Sequence, residues 1–357
     1  MIWLEALTPK QALLLSKLAR ELEDLGFECY ITTRTYDYTV DILRDSGAEL
    51  VIVGEHGGES REGKLFQSLR RQLKLLEEAL ERRPFLHISF TSPDSSRVAF
   101  GLGLPIISLT DSPHSVFVNK LSIPLSDAVV APRCTEDSWR AQEFRLGKFV
   151  FFEGLFEVSW TKDLVPESRI LDRLGLEKYG YAIVRTEEKK ASYYRAYTGY
   201  REPTKMSPLI DALLEEGLEV VLLPRYPDQE EYLRKLYGER IAILKKGMEI
   251  QSLEAYAGLV ITGGSTLAVE SSLLGTPSIT TFPGRVDTVQ WAIEIGLPLA
   301  WIPRMEEAAE LAGEIARDPH RHRRDTRELL STLEDPVRVV SELVEEVYER
   351  GGSIRKA

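Results

Sequence analysis

The chain has 357 residues, 43% hydrophobic and 28% charged, a balance that fits a soluble globular protein of two domains. A net charge of −11 argues against general nucleic-acid binding, which needs a basic surface. No apolar run is long enough to span a bilayer and no leader is expected before the first strand, so a cytoplasmic location is expected, with peripheral membrane contact left open.

Apolar runs and amphipathic stretches alternate from the start. Ile2–Leu7 predicts a strand, and Thr8-Pro9 an N-cap followed by Pro at the first helical position. Leu13, Leu14, Leu18, Leu22 and Leu25 form a helical stripe that Gly26 ends. Phe27–Thr32 predicts a strand, Tyr36–Ser46 a helix and Leu50–Val53 a strand. The loop His56-Gly57-Gly58-Glu59-Ser60 leads into a long amphipathic helix that ends near Arg83-Pro84. Strands follow at Phe85–Phe90, Ile106–Leu109, Asp127–Ala131 and Phe149–Phe152, with helices at Ser95–Leu102 and within Asp111–Leu125. Such alternation implies a parallel, doubly wound sheet with right-handed crossovers.

Gly154–Pro166 reads as an interdomain linker, which divides the chain into domains at 1–155 and 165–335. The alternation then restarts. Tyr181–Arg185, Glu219–Leu223 and Ile241–Leu244 predict strands, Pro203–Glu216 and Gln229–Tyr237 helices, and Thr186–Tyr200 a polar, Tyr-rich loop. Leu299–Ile302 predicts the last strand, Met305 opens a helical region, and Val337, Val340, Val344 and Val347 stripe a final helix. The result is an α/β protein of two Rossmann-like units, whose ligands are expected beyond the carboxyl ends of the strands.

The stretch Leu259–Gly284 carries the clearest chemistry. Leu259-Val260-Ile261 predicts a buried strand, Gly263-Gly264 breaks it, and Ser265 or Thr266 can cap the helix that runs to Gly275. A glycine turn before a helix N-terminus suits an anion, because free N–H groups and the helix dipole both favour phosphate. Glu270 stands one turn after Thr266, where its carboxylate can accept hydrogen bonds from two ribose hydroxyls. Spacing alone favours an ordinary capped turn with Glu270 in solvent; the wider stretch carries the nucleotide reading.

That wider stretch resembles the nucleotide-sugar site of GT-B-fold enzymes. Examples are the hydrolysing UDP-N-acetylglucosamine 2-epimerases and the peptidoglycan N-acetylglucosaminyltransferase. In those families strand, glycine/serine turn and ribose-binding Glu occur in this order, followed by L-G-x-P, here Leu274-Gly275-Thr276-Pro277. Nearly the whole chain is similar to a largely archaeal family, domain of unknown function 354. The matching segments include Ile31-Thr32-Thr33-Arg34 with Tyr36-Asp37, His56-Gly57-Gly58, Ser92-Pro93, Asp111-Ser112 with His114, Arg185, Glu187, Leu223-Pro224-Arg225 and Gly263–Gly284. Asn119-Lys120, Asp127 and Ala131-Pro132 also echo an epimerase helix and strand.

The resemblance implies a GT-B-like fold, two Rossmann-like doubly wound parallel-sheet domains facing a cleft, with helix 336–357 packing back on the first domain. It implies a metal-independent glycosyltransferase that uses a nucleotide-diphosphate sugar, a UDP-sugar first, and an unidentified acceptor. The alternatives are a hydrolysing UDP-sugar 2-epimerase and a non-catalytic nucleotide-sugar-binding protein. No cofactor is required, and no metal motif is present: there is no H-E-x-x-H, paired C-x-x-C or D-x-D. Gly263, Gly264, Ser265, Thr266 and Glu270 are the nucleotide-binding candidates, joined by Arg185 and Arg225, whose guanidinium groups can each pair with two phosphate oxygens, and by Glu187. Tyr193, Tyr194, Tyr197 and Tyr200 can stack on a sugar or base. Asp111 and His114 are the catalytic candidates, a carboxylate and a near-neutral base just past a strand end, with His56 next. His87 falls within a strand and reads as core. The first loop, Thr8-Pro9-Lys10-Gln11, departs from both enzyme groups, and this argues against a base there.

Overall fold

The computed structural model describes every residue except 37, 56, 59, 143, 145–147, 191–200, 245–249 and 352–357. Two compact units divide the chain. Met1–Trp160 with Leu333–Ala357 forms the first, and Thr161–Thr332 the second.

The first unit is built on seven strands: β1 (Ile2–Glu5), β2 (Cys29–Thr35), β3 (Glu49–Glu55), β4 (Leu86–Ser89), β5 (Ile106–Leu109), β6 (Ala128–Pro132) and β7 (Phe149–Phe152). Their order is β3-β2-β1-β4-β5-β6-β7, and every pair is parallel. β1 is central and buried on both faces, which is why it reads as a continuous apolar run. On one face Leu14, Leu15, Leu18 and Leu22 of the helix Pro9–Asp24 share a core with Val337, Val340, Val344 and Val347 of the helix Pro336–Glu349. On the other, Trp3 and Tyr30 pack with Leu75, Ala79, Val98 and Ala99. Tyr348 anchors the terminal helix, its ring 5.2 Å from Phe27 and 5.7 Å from Phe85.

The segment expected as a linker is largely core. Leu155, Phe156 and Val158 are fully buried, and Val158–Thr161 is a short helix. Phe156 packs 4.9 Å from Phe90 and 5.2 Å from Phe152. Four apolar side chains in six residues bury more surface than a solvated connection exposes, so the chain leaves the first unit only after Trp160.

The second unit repeats the design with β8 (Tyr181–Arg185), β9 (Glu219–Leu223), β10 (Ile241–Ile243), β11 (Leu259–Thr262), β12 (Ser278–Thr280) and β13 (Leu299–Trp301). Their order is β10-β9-β8-β11-β12-β13, again all parallel. Each sheet reverses its winding direction once, between β1 and β4 and between β8 and β11. These are the points where open parallel sheets form a crevice beyond their strand ends. No helix of the described residues is long and apolar enough to cross a membrane.

Candidate functional site

In the second unit the reversal point is built by the ends of β8 and β11. Arg185, the last residue of β8, lies in register with Thr262, and its carbonyl accepts a hydrogen bond from Gly263 N at 3.0 Å. A Cβ on Gly263 would lie 2.4 Å from Glu187 Cβ and 2.6 Å from its Cα. Gly263 therefore lets two backbone segments touch. Gly264 N donates to Thr262 Oγ1 at 3.0 Å, and Thr280 Oγ1 donates to Gly264 O at 2.7 Å. The glycine turn is locked by its own neighbours rather than left open for phosphate.

What remains for an anion is the start of the helix Thr266–Leu273. Ser265 stands at its N-cap, but makes no side-chain cap hydrogen bond, contrary to the expected capped turn. The first N–H groups of a helix have no intrahelical acceptor, so this terminus suits an external oxyanion. Arg185 is buried beside it and supplies a positive charge.

Glu270 is only 4% exposed, which removes the picture of a solvated helix residue. Gln251 Nε2 donates to its Oε1 at 3.0 Å. Next to it, Glu254 is fully buried and accepts from Ser271 Oγ at 3.0 Å. Burial first, and then the charge of Glu270, push the Glu254 carboxyl well above its ordinary range. Glu254 is thus pushed toward its neutral form, while Glu270 accepts from Gln251.

Glu187 does structural work. Thr204 Oγ1 donates to its Oε2 at 2.6 Å and Lys205 N to its Oε1 at 2.8 Å. Arg225, just beyond β9, lies 3.7 Å from Glu188, and its N–H donates to Thr186 Oγ1 at 2.9 Å. Buried Gln229, which the sequence did not single out, ties these ends together: it accepts from Thr186 Oγ1 at 2.7 Å and donates to Glu187 O at 3.0 Å. Tyr193, Tyr194, Tyr197 and Tyr200 lie outside the described residues.

In the first unit a cluster of buried charges gathers around Lys10, in the first turn of the helix Pro9–Asp24. Lys10 Nζ forms an ion pair with Asp111 and a second, at 2.7 Å, with Glu157. The rings of Phe90 and Phe156 lie 5.6 and 5.8 Å from the same ammonium. Asp111 also accepts from Ser112 Oγ at 2.9 Å. Burial opposes ionisation of Asp111, but Lys10, Ser112 and the charge of His114 outweigh it and hold the carboxyl below its usual range. Glu157 goes the other way: burial, reinforced by Asp111, raises it despite Lys10. Lys10 keeps its proton, since the two carboxylates overcome its burial.

Asp111 does not cap the following helix, Val116–Ser122, whose N-cap is Ser115 without a side-chain bond. Asn119 Nδ2 holds the intervening loop through Ser112 O at 3.0 Å and Pro113 O at 3.2 Å. His114 is exposed on that loop. His56 lies outside the described residues. His87 is core: Nδ1 lies 3.2 Å from Trp3 O, and burial lowers its pKa to about 4. Thr91, just after β4, has φ 46°, a left-handed conformation that strains a β-branched residue and is characteristic of functional turns. No cluster of metal-ligating side chains occurs among the described residues.

Comparison with known proteins bears on the family and the fold. An "Uncharacterized protein MJ0665" of Methanocaldococcus jannaschii is 27% identical over 290 residues, which cover 79% of this chain and 82% of that protein. The fold matches a putative UDP-N-acetylglucosamine 2-epimerase from Listeria monocytogenes at TM-score 0.74 and 14% identity, covering 99% of this chain and 97% of that one. It matches S. aureus MnaA, solved with UDP, at TM-score 0.73 and 16% identity, covering 100% and 98%. The Methanocaldococcus jannaschii UDP-GlcNAc 2-epimerase, solved in complex with UDP-GlcNAc and UDP, matches at 0.70 and 14%, covering 96% and 99%. These likenesses establish the two-domain GT-B-type fold. A family model matches residues 1–349, and the chain is a member of that family, described as "Protein of unknown function (DUF354)".

Proposed function

We propose that the protein binds a nucleoside-diphosphate sugar, a UDP-sugar first, and transfers the sugar to an acceptor without a metal ion. The observation that carries this reading is the reversal point of the second unit. There a helix N-terminus without a side-chain cap stands beside buried Arg185, and buried Glu270 follows one helical turn later. In this reading the N–H groups of Ser265 and Thr266 and the Arg185 guanidinium hold the diphosphate. Glu270 accepts from the ribose hydroxyls, and Arg225 adds positive charge at the next strand end. Glu187 and Gly263 brace the turn. The UDP and UDP-GlcNAc named for the structural neighbours support the choice of ligand.

The first unit supplies the reacting groups. Asp111, kept ionised by Lys10, is the base for an acceptor hydroxyl, and His114 is its neighbour at the same loop. Leaving-group charge falls on the helix N-terminus and arginines of the second unit. A thermal-shift screen over nucleotide sugars tests the binding step, because a ligand bound only by the native state raises the melting temperature. No stabilisation by any nucleoside diphosphate or its sugar would remove the reading.

One observation favours a second reaction. Asp111 and Glu157 share one lysine, and their environments push their carboxyls in opposite directions. Acid and base groups poised in that way suit a hydrolysing 2-epimerase. Acceptor-dependent turnover selects transfer, sugar release without acceptor selects epimerisation, and binding without turnover selects a sensor.

A further inference from the structure

Arg34 lies near the carboxyl end of β2, in the segment Ile31–Tyr36, apart from the Lys10 cluster. Its neighbour Arg71 shows how this unit treats an arginine it needs for structure. Arg71 is 2% exposed and fully engaged. Its Nη atoms meet Glu5 at 2.8 and 3.0 Å, its Nε donates to Val53 O at 2.9 Å, and Asp94 lies 3.7 Å away. Glu5 is saturated in turn by Ser92 and by Thr32 Oγ1 at 2.8 Å. Ser68 donates to Asp94.

Arg34 stands beside this cluster and takes no part in it. Its Nε is buried and meets no hydrogen-bond acceptor among the described residues. Its guanidinium carbon lies 5.6 Å from the centre of the Tyr36 ring. The side chain is only partly exposed, so water does not fully replace a partner. Among the described residues the charged groups it senses are Arg71, which repels it, and Glu5 and Asp94, both committed elsewhere. Burying a cation without a counter-ion is expensive unless a partner arrives. The position agrees with a ligand site. β2 lies next to β1 on one side of the reversal point, with Lys10 in the helix that follows β1, while Phe90, Thr91 and Asp111 lie just past strand ends on the other side, in the order β2-β1-β4-β5.

We infer that Arg34 is a binding residue for an oxyanion, a carboxylate or a phosphate, and that this group belongs to the acceptor. The fork of Nε and Nη matches two oxygens of such a group, and Tyr36 lies against its face. That the anion is part of an acceptor rests on the transfer reading above; that Arg34 binds an oxyanion does not.

The test titrates the full chain with inorganic phosphate and, separately, acetate at constant ionic strength, by calorimetry, and repeats this for Arg34→Met and Arg34→Lys. The two anions distinguish phosphate from carboxylate recognition. The expected result is affinity about 10-fold to 100-fold weaker in Arg34→Met, as for one lost charge-assisted contact, with a smaller loss in Arg34→Lys. The melting temperature of Arg34→Met without ligand should be unchanged or higher, because an unpartnered charge has gone. Wild-type protein that binds neither anion, or Arg34→Met with wild-type affinity, overturns the inference. So does an Arg34→Met variant that melts lower and keeps its affinity, since that is the behaviour of a structural residue. If Arg34→Met does not fold, wild-type affinity in Arg34→Lys overturns it and a loss sustains it. Repeating the titrations in Arg185→Met takes phosphate held at the second unit out of the comparison, and a separate UDP titration reports on the nucleotide reading alone, so the two ideas fail independently.

Discussion

The two reversal points solve opposite problems. The crevice of the first unit is filled with internal ion pairs: Lys10 with Asp111 and Glu157, Arg71 with Glu5 and Asp94. That of the second unit has locked glycines, a helix terminus without a side-chain cap, and Glu270 beside Glu254, whose carboxyl is pushed toward its neutral form by burial. Internal charges that are paired hold each other's protonation states, which suits proton transfer. Backbone donors held rigidly without a partner suit a ligand that brings its own charge. In the function proposed here the first unit carries the chemistry and the second binds the nucleotide, and that division can be broken residue by residue.

The largest effect is expected from Asp111→Asn. If Asp111 is the base, turnover should fall about 10²–10⁴-fold with UDP affinity unchanged. His114→Ala on the same loop separates partner from bystander. Turnover and melting temperature measured on the same samples decide, and full activity in both variants would leave His56 as the next candidate.

Lys10→Met comes next. It leaves two buried carboxylates without their cation, a change that typically destabilises by about 3–5 kcal/mol. Chemical denaturation should show that loss, and adding Asp111→Asn and Glu157→Gln should restore much of it. A single variant as stable as wild type would mean that the cluster is looser than its 2.7 Å contact to Glu157 implies.

Glu270→Ala should weaken UDP by about 1–3 kcal/mol in calorimetry, the range for charge-assisted hydrogen bonds, while turnover at saturating donor changes little. The reverse pattern, with affinity kept and turnover lost, would exchange the roles of the two units.

The smallest expected effect is a pH dependence of stability. Glu254 has its native pKa raised by burial and by Glu270. Its contribution is therefore fully present below the ordinary carboxylate range and is lost as pH rises toward the native value, because the unfolded chain releases that proton first. Glu254→Gln, which can still accept from Ser271, should melt at a higher temperature than wild type at pH 8 and show no advantage at pH 4. Parallel melting curves for the two proteins across that range would show that Glu254 is not held neutral.

The sequence by itself determined the two-sheet architecture. Central parallel strands are buried on both faces and must be apolar throughout, so β1, β5, β6, β8 and β11 are legible as runs; helices covered on one face show a stripe, as Val337 to Val347 do. It also marked Asp111, just past a strand end, and Glu270, one helical turn after Thr266 in a stretch that resembles a nucleotide-sugar site. Tertiary structure alone decided the rest. Lys10 meets Asp111 from 101 residues away and Glu157 from 147, and no local spacing encodes such a meeting. Glu157 was hidden in a segment that reads as a linker until its apolar neighbours find a core. Gly263 looks like a phosphate-loop glycine, yet what forbids its side chain is Glu187. Arg34 and Arg71 are the same residue type near the same strand ends, and only the fold decides which of them is given a carboxylate. Periodicity records which face of an element is buried; it does not record which distant charges share that burial.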